Sequence, residues 1–212
     1  MIRKIVQGAA VAVLMLTVPV WIQPAILSQS QVWILFLVAI LGSTFQPAYS
    51  PFAKAPDPKD RGTAAQIIWT VYLTQLAALL EAASLRYPAS FRFDAISGIA
   101  LVLIVAGLAL RTWAVLLLGR FFTWHIEVLP DQRIIRAGPY RFIRHPGYAG
   151  ALLTYFASTV FLHSWISAII AGVALPLAFL RRIRHEESLL RKSFDDYEAY
   201  AAETKMLIPG IL

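Results

Sequence analysis

Apolar residues gather along the chain into long runs separated by short polar or basic stretches. A transmembrane helix needs about 20 mostly apolar residues. Ile5 to Leu27 supplies one, interrupted by Gln7 and Gln23 near its ends and by prolines such as Pro19. A second runs from Val32 to about Phe45; it is short before Pro47, and the aromatic stretch to Phe52 carries it toward the interface. After the charged linker Lys54–Arg61, a third covers Thr63 to Leu85, and a fourth, Ile96 to Leu118, is interrupted only by Arg111. Tyr148–Leu162 and Trp165–Leu180 are joined by His163-Ser164, a junction so short that it predicts a tight turn and a helical hairpin. The alternative, one long helix, is disfavoured by Pro176 and the small polar break. The pattern predicts an all-α, polytopic membrane bundle of about six transmembrane helices, a single membrane domain over residues 1–212.

Composition agrees. The chain is 58% apolar and 15% charged, against roughly 45–50% and about 25% in soluble domains. That excludes a disordered segment, and the absence of cysteine excludes a disulfide scaffold or a zinc-thiolate site. Six crossings would put sixteen of the nineteen basic residues on one side, Arg86 and Arg92 on the other, and Arg111 within a span. Such a bias predicts cytosolic termini, in a bacterial inner membrane or the endoplasmic reticulum. It also accounts for the net charge of +7 without a nucleic-acid partner. The first apolar run does not read as a cleaved signal peptide.

Two segments fall outside the spans: the loop 119–147 and the tail after Leu180, predicted helical over 181–204. His145 precedes Pro146, so its backbone is extended, and Pro146 can open the next helix. In the tail, Arg182, Glu186 and Leu190 stack on one face at four-residue spacing. Leu189, Leu190, Phe194, Tyr197 and Tyr200 form an apolar-aromatic stripe, for which packing is the favoured reading. The tail helix would lie along the membrane surface or fold back over the loop.

The run LRTWAVLLLGRFFTWHIEVLPDQRIIRAGPYRFIRHPGYAGALL, followed by RRIRHEESLLRKSFDDYEAY, resembles the isoprenylcysteine carboxyl methyltransferase family and the wider phospholipid methyltransferases. Its anchors are LGRFFT, GPYRFIRHPGY and the EExxL…Fx2Yx2Y pattern, in order and at matching spacings. Asp195 departs from the glycine usual in the family. The resemblance implies a methyltransferase core over residues 96–212, preceded by N-terminal transmembrane helices over 1–95. It implies a cytosolic pocket for S-adenosyl-L-methionine, left as S-adenosyl-L-homocysteine, built by the loop, the last hairpin and the tail. Carried over by residue, Glu127 contacts the cofactor and Gln132, Arg133, Ile134 and Ile135 form a wall. Tyr140 and His145-Pro146-Gly147-Tyr148 hold its two ends, Glu186 anchors it, and Arg182 faces the substrate.

Methyl transfer from a sulfonium is an in-line displacement that needs no metal, and alignment can supply roughly 7–11 kcal/mol. Aromatic faces and carboxylates suit a sulfonium cation, and a guanidinium such as Arg182 can take a carboxylate bidentately. Glu187 is the candidate general base for an acceptor that must lose a proton. The resemblance favours a lipid-tailed acceptor, a small molecule or prenylated protein C-terminus, with a prenylcysteine-type carboxylate foremost. Phenolic or enolic polyketide lipids and phospholipid amines are the alternatives. A membrane reductase using NADPH is the different-class reading. No GxGxxG loop stands after a strand, and the four histidines lack metal-ligand spacing. Arg111 stays open between a functional and a snorkelling role. Glu81 reads as interfacial, and His125 as a solvated loop residue with pocket lining as the alternative.

Overall fold

The computed structural model describes residues 2–44 and 60–208. Phe45, Pro47, Phe52, Lys54 and Lys59, at the end of the second predicted span and in the linker, lie outside the described residues. The helices are α1 (Ile2–Ile22), α2 (Ser30–Thr44), α3 (Thr63–Ser84), α4 (Ala95–Leu118), α5 (Pro146–Phe161), α6 (Trp165–Ser193) and α7 (Tyr197–Glu203). Among the described residues no strand forms beyond one bridge, between Ile143 and Lys205. Four segments are long and apolar enough to cross a membrane: Lys4–Ile22, Thr63–Ser84, Ala95–Phe121 and Trp165–Ser193. α2 is apolar but shorter. The protein is an integral membrane helical bundle.

Hydrogen bonds between helix ends show that α1 to α6 alternate in direction. At one end the Ser43 hydroxyl of α2 donates to the Lys4 carbonyl of α1 at 3.4 Å, and Arg111 late in α4 donates to the Gly147 carbonyl early in α5 at 3.0 Å. At the other end Gln31 of α2 reaches the Phe91 carbonyl ahead of α4, and Ser164 ahead of α6 donates to Ala78 late in α3 at 2.8 Å. His163, in the α5–α6 turn, sits 3.2 Å from both carboxylate oxygens of Asp94. The two last apolar runs therefore form the expected hairpin.

Local chemistry sets the helix starts. Asp94 and Ser97 form a reciprocal capping box at α4, and Pro146 opens α5 where its missing N–H costs little. Glu81, expected at the interface, is instead buried and caps another helix. Its carboxylate accepts from the backbone N–H groups of Ile166 and Ser167, at 3.2 and 2.8 Å, and from Arg86 at 3.0 Å. These N–H groups have no partner within α6, and the helix dipole favours the negative charge.

α6 also corrects the sequence reading of the tail. There is no separate helix from residue 181; α6 runs on past Leu180 to Ser193, because Arg181–Ser193 contains neither glycine nor proline. The chain turns extended at Phe194 (φ −134°, ψ 116°) and re-enters a helix only at Tyr197. α7 and the residues after it fold back over the loop.

α4 and α5 approach closely through Gly107 and Gly150, as small residues allow in membranes. A Cβ on Gly150 would stand 2.5 Å from the Gly107 carbonyl oxygen and 2.7 Å from the Arg111 nitrogen. Gly150→Val is therefore expected to cost about 1–3 kcal/mol through overpacking and to lower the thermal unfolding midpoint in detergent. Gly98→Ala, within α4 and meeting nothing within 4 Å, should hold or raise the midpoint, because alanine is the better helix former.

Candidate active site

Gly119, with φ +54°, ends α4 in a conformation that favours glycine. The chain then crosses the mouth of the bundle to a short turn at Gly138–Arg141 and reaches α5 at Pro146. This loop, α6 and α7 enclose a cavity of about 1030 Å3, mouth included. Glu127, Gln132, Arg133, Ile134, Ile135, Tyr140, His145, Gly147, Tyr148, Arg182 and Glu186 all line it. Two predicted residues do not: Pro146 is buried in the first turn of α5, and the Glu187 carboxylate is held by Arg144 and His145.

Within the cavity the rings of His145 and Tyr148 stack at 5.5 Å and 11°. The Tyr148 hydroxyl donates to Glu186 Oε2 at 2.6 Å and accepts from Arg182 Nε at 2.8 Å. Arg182 is a buried brace. Nη1 donates to Asp60 Oδ1 at 2.7 Å and Thr63 Oγ1 at 3.1 Å, and Nη2 donates to the Trp124 carbonyl at 2.7 Å. Four of the five N–H groups of a guanidinium are thus engaged, and one on Nη2 remains. The expected bidentate grip on a substrate carboxylate is therefore not available to Arg182.

Glu187 also departs from its expected role. Its Oε1 lies 2.8 Å from Arg144 Nε and 3.2 Å from His145 Nε2, and its side chain is 9% exposed. It supports the His145 turn through these two contacts. Arg144 extends that support to the Ala201 carbonyl at 2.9 Å and the Thr204 carbonyl. The segment after α7 straps the same turn. The Lys205 N–H donates to Phe142 at 3.1 Å, the Arg144 N–H to Lys205 at 2.7 Å and the His145 N–H to Met206 at 3.1 Å.

The aromatic stripe of the tail, read from sequence as packing, contributes Leu189, Leu190, Phe194, Tyr197 and Tyr200 to the cavity wall. Its 3–4 residue spacing was the signal, but spacing alone does not separate a face packed on a core from one turned to a cavity. Tyr200 donates to the Tyr140 carbonyl at 2.9 Å. Burial pushes the Tyr200 phenol up to about 12, and it raises Tyr140 and Tyr197 further. All three stay neutral near pH 7 and keep their O–H groups as donors. His125, read as solvated, is exposed and also lines this cavity.

A second cavity, of about 1560 Å3 including its opening, lies among α1 to α5. Its walls are mostly apolar, including Val11, Met15, Leu35, Phe36, Val71 and Leu108. Arg111 lines both cavities. It is 7% exposed and stands 6.0 Å from the centre of the Trp124 ring.

The fold is thus a membrane bundle with a polar, aromatic cavity at one end and an apolar cavity among its helices, and Arg111 lines both. The sequence profile of the isoprenylcysteine carboxyl methyltransferase (ICMT) family matches residues 100–192. A protein of Oryza sativa subsp. indica named "Probable protein-S-isoprenylcysteine O-methyltransferase" is 34% identical over 149 residues, 69% of this chain and 77% of that protein. Protein-S-isoprenylcysteine O-methyltransferase A of Arabidopsis thaliana is 30% identical over 144 residues, 66% of this chain and 73% of its own. The solved structure of a eukaryotic intramembrane Ras methyltransferase, ICMT, superposes with a TM-score of 0.55 at 22% identity. That match covers 85% of this chain and 75% of the other, and it establishes the shared fold. The chain belongs to the isoprenylcysteine carboxyl methyltransferase family.

Lys205→Pro removes one strap donor, and the extended Thr204 before it (φ −123°, ψ 154°) accepts a following proline. Losing that bond, at about 1 kcal/mol, is expected to speed amide hydrogen exchange at Arg144 and His145 roughly fivefold. Lys205→Ala keeps the N–H and leaves exchange unchanged.

Proposed function

We propose that this protein transfers a methyl group from S-adenosylmethionine to the C-terminal carboxylate of a lipid-tailed prenylcysteine, forming a methyl ester. The observation that carries the proposal is that Arg111 lines both the polar and the apolar cavity. The names of the relatives, protein-S-isoprenylcysteine O-methyltransferases, support the same acceptor.

The residues of the polar cavity suit such a donor. Glu127 and Glu186 offer carboxylates to its cationic groups, and the stacked His145–Tyr148 pair and Tyr140 offer aromatic faces. The Tyr148 and Arg182 hydrogen bonds fix Glu186 before anything binds, which lowers the cost of ordering the site. S-adenosylmethionine supplies an electrophilic methyl group on sulfur, open to in-line attack by an acceptor oxygen.

The apolar cavity takes the lipid tail, and Arg111 orients the carboxylate at its inner end, assisted by the remaining Nη2 N–H of Arg182. A carboxylate attacks without first losing a proton, so this reaction needs no general base. That agrees with Glu187 lying outside the cavity, and it disfavours phenolic lipids and phospholipid amines as acceptors, which need one. Six crossings with the polar cavity and both termini in the cytosol fit the sixteen-to-two bias of basic residues. A soluble donor then enters from the water while the acceptor arrives through the bilayer.

Purified protein incubated with methyl-labelled S-adenosylmethionine and N-acetyl-S-farnesylcysteine is expected to yield a base-labile labelled ester. Label found only in a phenolic lipid or a phospholipid headgroup contradicts the acceptor, and binding of NADPH in place of S-adenosylhomocysteine contradicts the reaction. Arg111→Gln is expected to lower kcat/KM for the acceptor about a hundredfold through misplacement. KM for the methyl donor should stay near its original value.

A further inference from the structure

Tyr197 opens α7, its side chain is among the largest fully buried ones, and the residue is only 2% exposed. Its ring is held by the edge of Tyr200, with centroids 6.0 Å apart, and by the Arg191 guanidinium 5.7 Å from the ring centre. The hydroxyl differs from that of its neighbour. Tyr200 donates to the Tyr140 carbonyl, whereas the buried Tyr197 oxygen has no hydrogen-bond partner among the described residues. An unpaired buried polar group costs about 1–3 kcal/mol, and such groups are rare in folded proteins. Tyr197 also lines the polar cavity, beside Glu186, Arg144 and Phe194.

The sequence offers no local reason for a phenol there, since phenylalanine would fill the same packing space without stranding an oxygen. We infer that Tyr197 is a ligand-contacting residue whose O–H donates a hydrogen bond to an acceptor atom of the methyl donor, so that the hydroxyl is satisfied only in the loaded protein. This rests on the reading of the polar cavity as the donor site, and it adds a contact from α7 to those from the loop and α6. The neutral phenol is a donor of the right kind, because the carboxylate, ribose and adenine of S-adenosylmethionine all present acceptors.

The test is Tyr197→Phe in the detergent-solubilised full chain, with Tyr200→Phe beside it. S-adenosylhomocysteine binding by calorimetry should weaken about tenfold in Tyr197→Phe, equivalent to about 1.4 kcal/mol. The thermal unfolding midpoint of the ligand-free variant should equal or exceed that of the original, because an unpaired group has been removed. Tyr200→Phe should lower that midpoint, since it breaks an existing bond. Unchanged affinity in Tyr197→Phe, or a ligand-free midpoint that falls along with affinity, overturns the inference. If the original protein itself fails to bind S-adenosylhomocysteine, the donor-site reading fails instead.

Discussion

Arg182 is the interaction on which the arrangement depends. From its place on α6 it bonds Asp60 and Thr63 at the start of α3, the Trp124 carbonyl in the loop and the Tyr148 hydroxyl on α5. One buried cation thus joins four parts of the chain far apart in sequence. Asp60 and Arg182 side chains are 3% and 5% exposed. Removing one partner of such a pair typically costs about 3–5 kcal/mol, because the other charge is left buried. The brace also places the Tyr148 hydroxyl where it holds Glu186, so packing energy and site geometry come from one contact.

In the proposed reaction the fold around that brace answers a solubility problem. A polar methyl donor and an acceptor with a hydrocarbon tail share no common solvent, so they must meet where water and lipid adjoin. The loop and α7 wall a polar cavity at the end of the bundle, and α1 to α5 wall an apolar one within it. Arg111 lines both. In a membrane span a buried arginine is costly, and that cost is reasonable where the side chain borders a polar cavity and can face an anion. Glu187, Arg144 and the strap after α7 then hold the His145 turn in place.

Where local chemistry decided the outcome, the sequence was readable. The third and fourth helices begin and end within one residue of their apolar runs, and Pro146 starts α5 as its position implied. Motif order located the loop, the His145 turn and Glu186, and eleven of the twelve carried-over site residues line one cavity. What failed was decided at long range. Arg182 finds Asp60 122 positions away, so its saturation is invisible to spacing. Glu81 caps a helix 85 residues further on. Glu186 and Glu187 are neighbours in sequence, but the helical rotation between them turns one into the cavity and the other to Arg144 and His145. The Tyr197–Tyr200 stripe reads alike whether it faces a core or a ligand.

The most direct measurement is a structure of the protein with S-adenosylhomocysteine and a farnesylcysteine bound together. The account predicts the thioether sulfur beside the Tyr148–Glu186 pair, the carboxylate against Arg111 and the farnesyl chain among α1 to α5. An adenosyl group elsewhere, or a farnesyl chain lying on the outer face of the bundle with its carboxylate away from Arg111, would contradict it.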